Sequence, residues 1–584
     1  MNLKTSKQKI TSFLLIVFIL IIAAGLRLLN VNWDADQHLH PDERFLTMVA
    51  NDIKMPQTFL EYLDPERSAL NPANHNYNFF VYGNFPVILN KFVAQIFNND
   101  NYHSLAIQGR IISAVLEMSI VILVFHLAYL LSKKYQLSAQ FKYWAALGYA
   151  TFVLSIQQAH FYTVDSFVNF FCFLSVYAAW RWQEIQQNSE NIKQAIKLLS
   201  ISAISFGLAM ASKINAIYCM PLIGWLLINQ SINFKNFNLK KSLKKILPNL
   251  ILFGIISYVT LRLANPYFFR SQTWLDPRPH ENFLKNIEEL KALNDPETWY
   301  PPGLQWRKTK PIWFAVKNTF IFGVGLAHSI FVFVGLIYLI YSLIKKKNNI
   351  NLNLIIFALW LVGFFLYQST RYTKTNRYFL ILYPYFALLF ALGLEKLSEI
   401  IKKNTLKFIF MFNSVCLGAV AIWPLMFISI YLQPHTRIQA SRWIYQNVPQ
   451  KSLILTEHWD DALPVSLAGM KRNYEFKELP VFGQDTAQKW QEMDQLLKQA
   501  DYYILSSNRG WGSIMPNEDR YPQMSYFYEQ LFAENTPYKK VAEFNSFPSL
   551  EYLGIPLTLD DSWAEEAFSV YDHPQVMVFE KKNQ

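Results

Sequence analysis

The feature that most limits what this sequence can fold into is the recurrence of apolar runs close to a bilayer's width. About 20 helical residues cross the roughly 30 Å hydrocarbon layer. Such runs lie near residues 11–29, 110–131, 143–160, 166–182, 197–212, 214–229, 247–264, 325–344, 352–368, 378–394 and 406–431. They predict a polytopic α-helical membrane protein with about eleven transmembrane helices. The first run follows Lys4, Lys7 and Lys9 as a signal peptide would, and Ala23-Ala24-Gly25 resembles a weak cleavage site. The run continues through Leu28 and Leu29, so it is read as an uncleaved span. A semi-apolar stretch at 79–97 holds Gly83, Asn84, Pro86, Asn90 and Lys91 and reads as interfacial.

Lysine placement orients these spans. With the N-terminus in the cytoplasm, every strong basic cluster falls on that side: Lys133, Lys134 and Lys142; Lys193 and Lys197; Lys235, Lys240, Lys241, Lys244 and Lys245; Lys345, Lys346 and Lys347; and Lys396, Lys402, Lys403 and Lys407. These loops and anionic headgroups account for the net charge of +12, and no nucleic-acid motif is present. Three bulky stretches are then left outside: 30–78, about 265–313, and everything after Leu432. That one-sidedness points to chemistry at the outer surface.

Charged residues make up 16% of the chain, but mean hydropathy is only +0.11, so a polar part accompanies the membrane part. It is placed in residues 433–584, a domain-sized tail behind a transmembrane domain at 1–432. Helical patterns at 440–447, 490–499 and 526–533 alternate with strand patterns at 452–456, 502–506, 540–544 and 576–580. They predict a C-terminal extracytoplasmic α/β domain. Cys172, Cys219 and Cys416 all sit in apolar runs, which offers neither a disulfide framework nor a thiolate metal site.

Candidate chemistry clusters at the outer ends of spans. His38, His40, Pro41, Asp42, Glu43 and Arg44 follow the first span by about a dozen residues. Adjacent carboxylates there suit a general base and an orienting or metal-coordinating partner; a solvated acidic turn is the bland alternative. The turn between the third and fourth spans carries His160 and Asp165, and Asp165 also suits a helix cap. Lys213 is an outer lysine, either snorkelling to headgroups or binding phosphate. Arg371, Lys374 and Arg377, with Tyr372 and Tyr378, crowd a short outer turn where a polyanionic ligand or headgroups would balance the charge. In the second outer loop, Trp299-Tyr300-Pro301-Pro302-Gly303 suits anchoring on the bilayer, and aromatic faces also suit sugar rings. There is no P-loop or dinucleotide fingerprint.

His40-Pro41-Asp42-Glu43 after a single span resembles the hallmark of GT-C membrane glycosyltransferases. The likeness is to the protein-mannosyltransferase and aminoarabinose-transferase class, glycosyltransferase family 39. Gly109-Arg110-Ile111-Ile112-Ser113, the His160…Asp165 turn, Lys213-Ile214-Asn215 and Asn376-Arg377-Tyr378 match it in order and sidedness over residues 10–432. Tyr82-Gly83-Asn84-Phe85-Pro86 stands where many relatives carry Pro-Pro. The resemblance implies sugar transfer from a polyprenyl-phosphate carrier to a protein, lipid or glycan acceptor on the outer face of a plasma membrane of bacterial type, by inverting displacement. It implies that Asp42 and Glu43 are catalytic, and that Lys213, Arg371, Arg377, Tyr378, His160, Asp165 and His40 bind donor phosphate or substrate. A divalent metal stays open. The competing class, a transporter or flippase for lipid-linked sugars, calls for repeated halves and charges near the midplane, and the sequence has neither.

Overall fold

A computed structural model describes residues 3–187, 191–229, 239–345, 352–401 and 406–582. Lys235, Lys346, Lys347, Lys402 and Lys403, assigned above to cytoplasmic loops, lie outside the described residues. Among the described residues, eight helices are long and apolar enough to cross a membrane, beginning with α1 (Leu3–Leu28). The remaining predicted spans are interrupted. Helix Phe141–Thr151 breaks at Phe152 before Val153–Ala159, and the chain then bends by 120° into Val164–Gln187. The run 214–229 begins as a 3-10 turn, Ile214–Cys219, before helix Met220–Asn229.

The helix Val164–Gln187 packs along Ile192–Ser212, which packs along Leu239–Ala264. Helix Tyr383–Ile401 is central, against Leu326–Lys345 and Phe141–Thr151. Its Tyr383, Phe386, Phe390 and Leu394 join one large apolar core. Helix Phe85–Ile96, within the stretch read as interfacial, is 12 residues long, about 18 Å, too short to span.

The C-terminal part is built on a five-stranded sheet of order β2-β1-β3-β5-β4: β1 Leu453–Glu457, β2 Glu475–Leu479, β3 Tyr502–Leu505, β4 Tyr538–Phe544 and β5 Val576–Lys581. β1 runs parallel to β2 and β3, while β5 is antiparallel to β3 and β4. The central strands β1, β3 and β5 are mostly apolar and largely buried, as strands covered on both faces must be. The edges β2 and β4 carry Glu475, Lys477, Glu478, Lys539 and Lys540, which discourages edge-to-edge pairing.

The loop at 299–306 packs on the sheet-containing part. Trp299 Nε1 donates to the Phe482 carbonyl (2.9 Å), Leu304 enters the core of the sheet-containing part, and Arg307 pairs with Asp519 (2.8 Å). These aromatics and prolines fasten the membrane part to the sheet.

Candidate active site

His40-Pro41-Asp42-Glu43 opens helix α2 (Pro41–Asp52). Pro41 fits the first turn, where its missing N–H costs nothing, and the His40 ring nitrogen Nδ1 accepts from the Glu43 N–H (3.3 Å) as the cap. Two carboxylates in a first turn also suit the helix dipole. Neighbours on a helix point about 100° apart, so Asp42 and Glu43 part company.

Glu43 turns inward and is 0% exposed. Both of its oxygens accept from Arg110, Nε lying 3.1 and 3.0 Å away, and Oε2 also accepts the Tyr162 N–H (2.8 Å). Arg110 is completed by Asp34 (3.1 and 2.7 Å), the Val31 carbonyl (2.8 Å) and the face of Trp33. At Gly109 a Cβ would lie 2.2 Å from the Tyr162 ring, so glycine there allows this helix to meet the 160–163 bend. Glu43 thereby locks α2 to that bend.

Asp42 turns the other way, its side chain 24% exposed, and its Oδ2 is paired with Arg377 Nη1. Burial pushes its carboxyl up, but the charge of Arg377 outweighs this and holds it well below the usual carboxylate range. Arg377 lies about one ring away from Tyr378 (6.0 Å), and Lys213 Nζ stands over the same ring at 4.7 Å. Lys213 donates to Asp165 Oδ1 (2.8 Å). Asp42, Arg377, Tyr378, Lys213 and Asp165 therefore form one continuous polar chain. Arg377, Tyr378, Lys213 and Asp165 line a small cleft of about 20 Å³ together with Val168, Phe364, Leu380 and Ile381, and Asp42 joins it through Arg377. Gly83 makes the close contact that frames it: its N–H donates to the Ser212 carbonyl (2.9 Å), and a Cβ would fall 1.8 Å from the Ala211 oxygen.

Other predicted residues sit differently. His40 is buried between Phe161 and Tyr571, ring centroids 4.5 and 4.1 Å away, and burial pushes it down to about 4, so it is neutral at pH 7. His160 faces the Ile156 and Leu29 carbonyls with its two ring nitrogens (2.9 and 3.0 Å) and stacks on Tyr431 at 3.8 Å, away from the polar chain. Arg371 is exposed and lies over Tyr367. Among the described residues no three His, Cys, Asp or Glu side chains converge as metal ligands, so the metal left open above has no ligand set to assign.

The sheet-containing part supplies residues that no motif flagged. Tyr571 packs on His40, Asp461 pairs with Arg44 (3.0 Å), and Glu565 Oε2 accepts the Asn376 N–H (2.6 Å), next to Arg377. Burial, then Tyr378 and Asp42 nearby, push the Tyr300 hydroxyl up to about 12.

Residues 45–265 match the family model described as dolichyl-phosphate-mannose-protein mannosyltransferase. The fold resembles archaeal oligosaccharyltransferase AglB from Archaeoglobus fulgidus in complex with an inhibitory peptide and a dolichol-phosphate: TM-score 0.52, 12% identity, covering 98% of this chain and 89% of that one. The chain has the fold of a GT-C membrane glycosyltransferase. The same oligosaccharyltransferase tethered to an acceptor peptide gives a TM-score of 0.51 at 12% identity, over 97% of this chain and 88% of that one. ArnT from Cupriavidus metallidurans bound to undecaprenyl phosphate gives 0.45 at 11% identity, over 97% of both chains. No curated protein sequence matches. The family match begins just after Asp42-Glu43 and includes Arg110, Asp165 and Lys213, while Arg377 lies beyond it.

Proposed function

We propose that the chain is an integral membrane glycosyltransferase that moves a sugar from a polyprenyl-phosphate carrier to an acceptor hydroxyl, with inversion. The observation that carries this is the Asp42–Arg377–Tyr378–Lys213 chain: two cations lining a partly apolar cleft, one of them paired with a carboxylate. The reaction face is the one bearing residues 433–584, which we take as an extracytoplasmic domain over a 1–432 membrane domain, with the N-terminus cytoplasmic and the plasma membrane, of bacterial type, as its site.

In the displacement the acceptor oxygen attacks the anomeric carbon as the bond to the lipid phosphate breaks. The hydroxyl proton goes to Asp42, and the bonding pair leaves with the phosphate. Lys213 and Arg377 stabilise the charge that grows on the phosphate. Arg377 is shared: a phosphate that draws its guanidinium away relieves Asp42 of its strongest partner and returns basicity to the carboxylate when the donor is present. Asp165 and Tyr378 hold Lys213 in place. Glu43 acts through Arg110 and Tyr162 as a positioning residue. Arg371, at the exposed edge, meets carrier or membrane headgroups, and His40 shapes the wall of the site.

The test is transfer from a panel of polyprenyl-phosphate sugars by purified protein, with Asp42→Asn beside it. Free polyprenyl phosphate released by wild type and not by the variant is the expected result. No release with any donor, from folded protein, overturns the reading and favours a lipid-linked sugar transporter.

A further inference from the structure

Trp459 follows β1 in a turn that lies over the site. It is a bulky residue with φ +73°, and it is left 41% exposed. Such a conformation is uncommon for a non-glycine residue and persists only where neighbours over-determine it. Here they do. The Trp459 carbonyl accepts from Arg509 (2.7 Å), itself paired with Glu566 (2.7 Å). Asp460 and Asp461 on its far side both receive Arg437 (2.8 and 2.7 Å). All of this holds a large apolar ring partly exposed to solvent.

The ring is not alone. Tyr300 meets it edge to face, centroids 6.2 Å apart at 89°, and Trp299, 48% exposed, stands 6.4 Å from it. The Arg44–Asp461 ion pair (3.0 Å) ties this turn to the turn of Asp42, two residues on each side. The aromatic surface reaches the proposed base through Tyr300, whose hydroxyl lies close enough to Tyr378 and Asp42 to feel both. Its backbone is already used: the His458 N–H goes to the Leu479 carbonyl (3.1 Å) and the Asp460 N–H to Glu457 (3.2 Å). An extended peptide would find few main-chain partners there. A sugar ring needs none, because its C–H face rests on an aromatic face and its hydroxyl rim meets carboxylate and guanidinium groups.

We infer that Trp459 and Tyr300 form the acceptor platform of this site and that the acceptor they receive is a saccharide. This rests on the reading of Asp42 as the base for transfer. Arg44 and Asp461 serve as hydroxyl partners at its rim.

The experiment measures binding, not turnover, on the full-length protein in nanodiscs. Saturation-transfer NMR is run with a set of neutral disaccharides and, as counter-probe, a Ser/Thr-containing heptapeptide. The expected result is saturable binding of at least one disaccharide by wild type, weakened about threefold or more in Trp459→Ala and kept in Trp459→Phe. Tyr300→Leu gives the same loss should Trp459→Ala fail to fold. Three results overturn the inference: no disaccharide binds wild type, binding is indifferent to both aromatic truncations, or only the peptide binds. If Trp459-dependent saccharide binding stands while no polyprenyl-phosphate donor is turned over, the transfer reading falls and the platform remains.

Discussion

Arg377 reaches Asp42 across 335 positions of the chain, and through this pair the last part of the bundle meets the first loop. Because the guanidinium holds the carboxyl well below its usual range, Asp42 in the free protein stays ionised on the acid side of neutrality. We expect kcat/KM to show no acid limb from this group down to about pH 4. Asp42→Asn should stay folded and lose roughly 10²- to 10⁴-fold in transfer rate, the usual range for a missing general base. Release of polyprenyl phosphate against pH checks both. The linkage sign agrees: a depressed carboxylate contributes stability above its unfolded value of about 4, lost only as pH falls through the lower folded value.

Glu43 should behave in the opposite way. It is fully buried and bridges Arg110 to the Tyr162 N–H. Removing its charge leaves Arg110 with Asp34 alone, and breaking a buried pair of this kind costs about 3–5 kcal/mol. Glu43→Gln should lower the apparent Tm and yield of purified protein far more than Asp42→Asn does. The double variant Glu43→Gln, Arg110→Met should recover none of that loss, because it leaves the buried Asp34 without its cation. Thermal melts of the four proteins decide it.

Lys213 serves both donor binding and the departing charge, so its loss should lower kcat as well as weaken binding. It is held by Asp165 and the Tyr378 ring, and a charge-assisted bond to phosphate is worth about 1.5–3 kcal/mol. Lys213→Ala should raise the donor KM by roughly 10- to 100-fold, and Lys213→Arg should restore much of it. Asp165→Asn should give a milder version of the same effect, since it frees the lysine to wander. Donor titrations and direct binding of polyprenyl phosphate measure this.

Much of the bundle was legible because a bilayer-length apolar run has few other uses. The exceptions are instructive. The break at Phe152 and the 120° bend after Ala159 leave no apolar gap, so 143–160 and 166–182 read as ordinary spans. In the sheet, β1, β3 and β5 announce themselves and the edge strand β4 was read in part, but β2 reads Glu-Phe-Lys-Glu-Leu, too short and too charged to show a strand pattern. In the site, Asp42, Lys213 and Arg377 each stood out as charges at the outer ends of spans, but which helices meet is not written in any local pattern. Adjacency hid that Asp42 and Glu43 face different ways. Tyr571 and Trp459 belong to no motif and were reachable only through the fold.

His573 gives a pH test of how the sheet-containing part is held. Its two nitrogens face Asp561 Oδ2 (2.9 Å) and Asp572 Oδ1 (2.6 Å), and Asp572 in turn accepts from Gln157 (3.0 Å) and the Tyr431 hydroxyl (2.8 Å) in the membrane part. Burial alone would lower the imidazole's pKa, but the two carboxylates outweigh it and push it up to about 10. A raised value means its stabilisation is fully present below the unfolded pKa near 6.5 and is lost as pH rises through about 10. Limited proteolysis should therefore begin to cut around residues 555–575 as pH passes 9 to 10 in the wild type, with little change between pH 5 and 6.5. His573→Gln should be cut at every pH, because Asp561 and Asp572 then repel one another in a buried site. Indifference of wild-type proteolysis to pH across this range would show that the imidazolium is not what holds the junction.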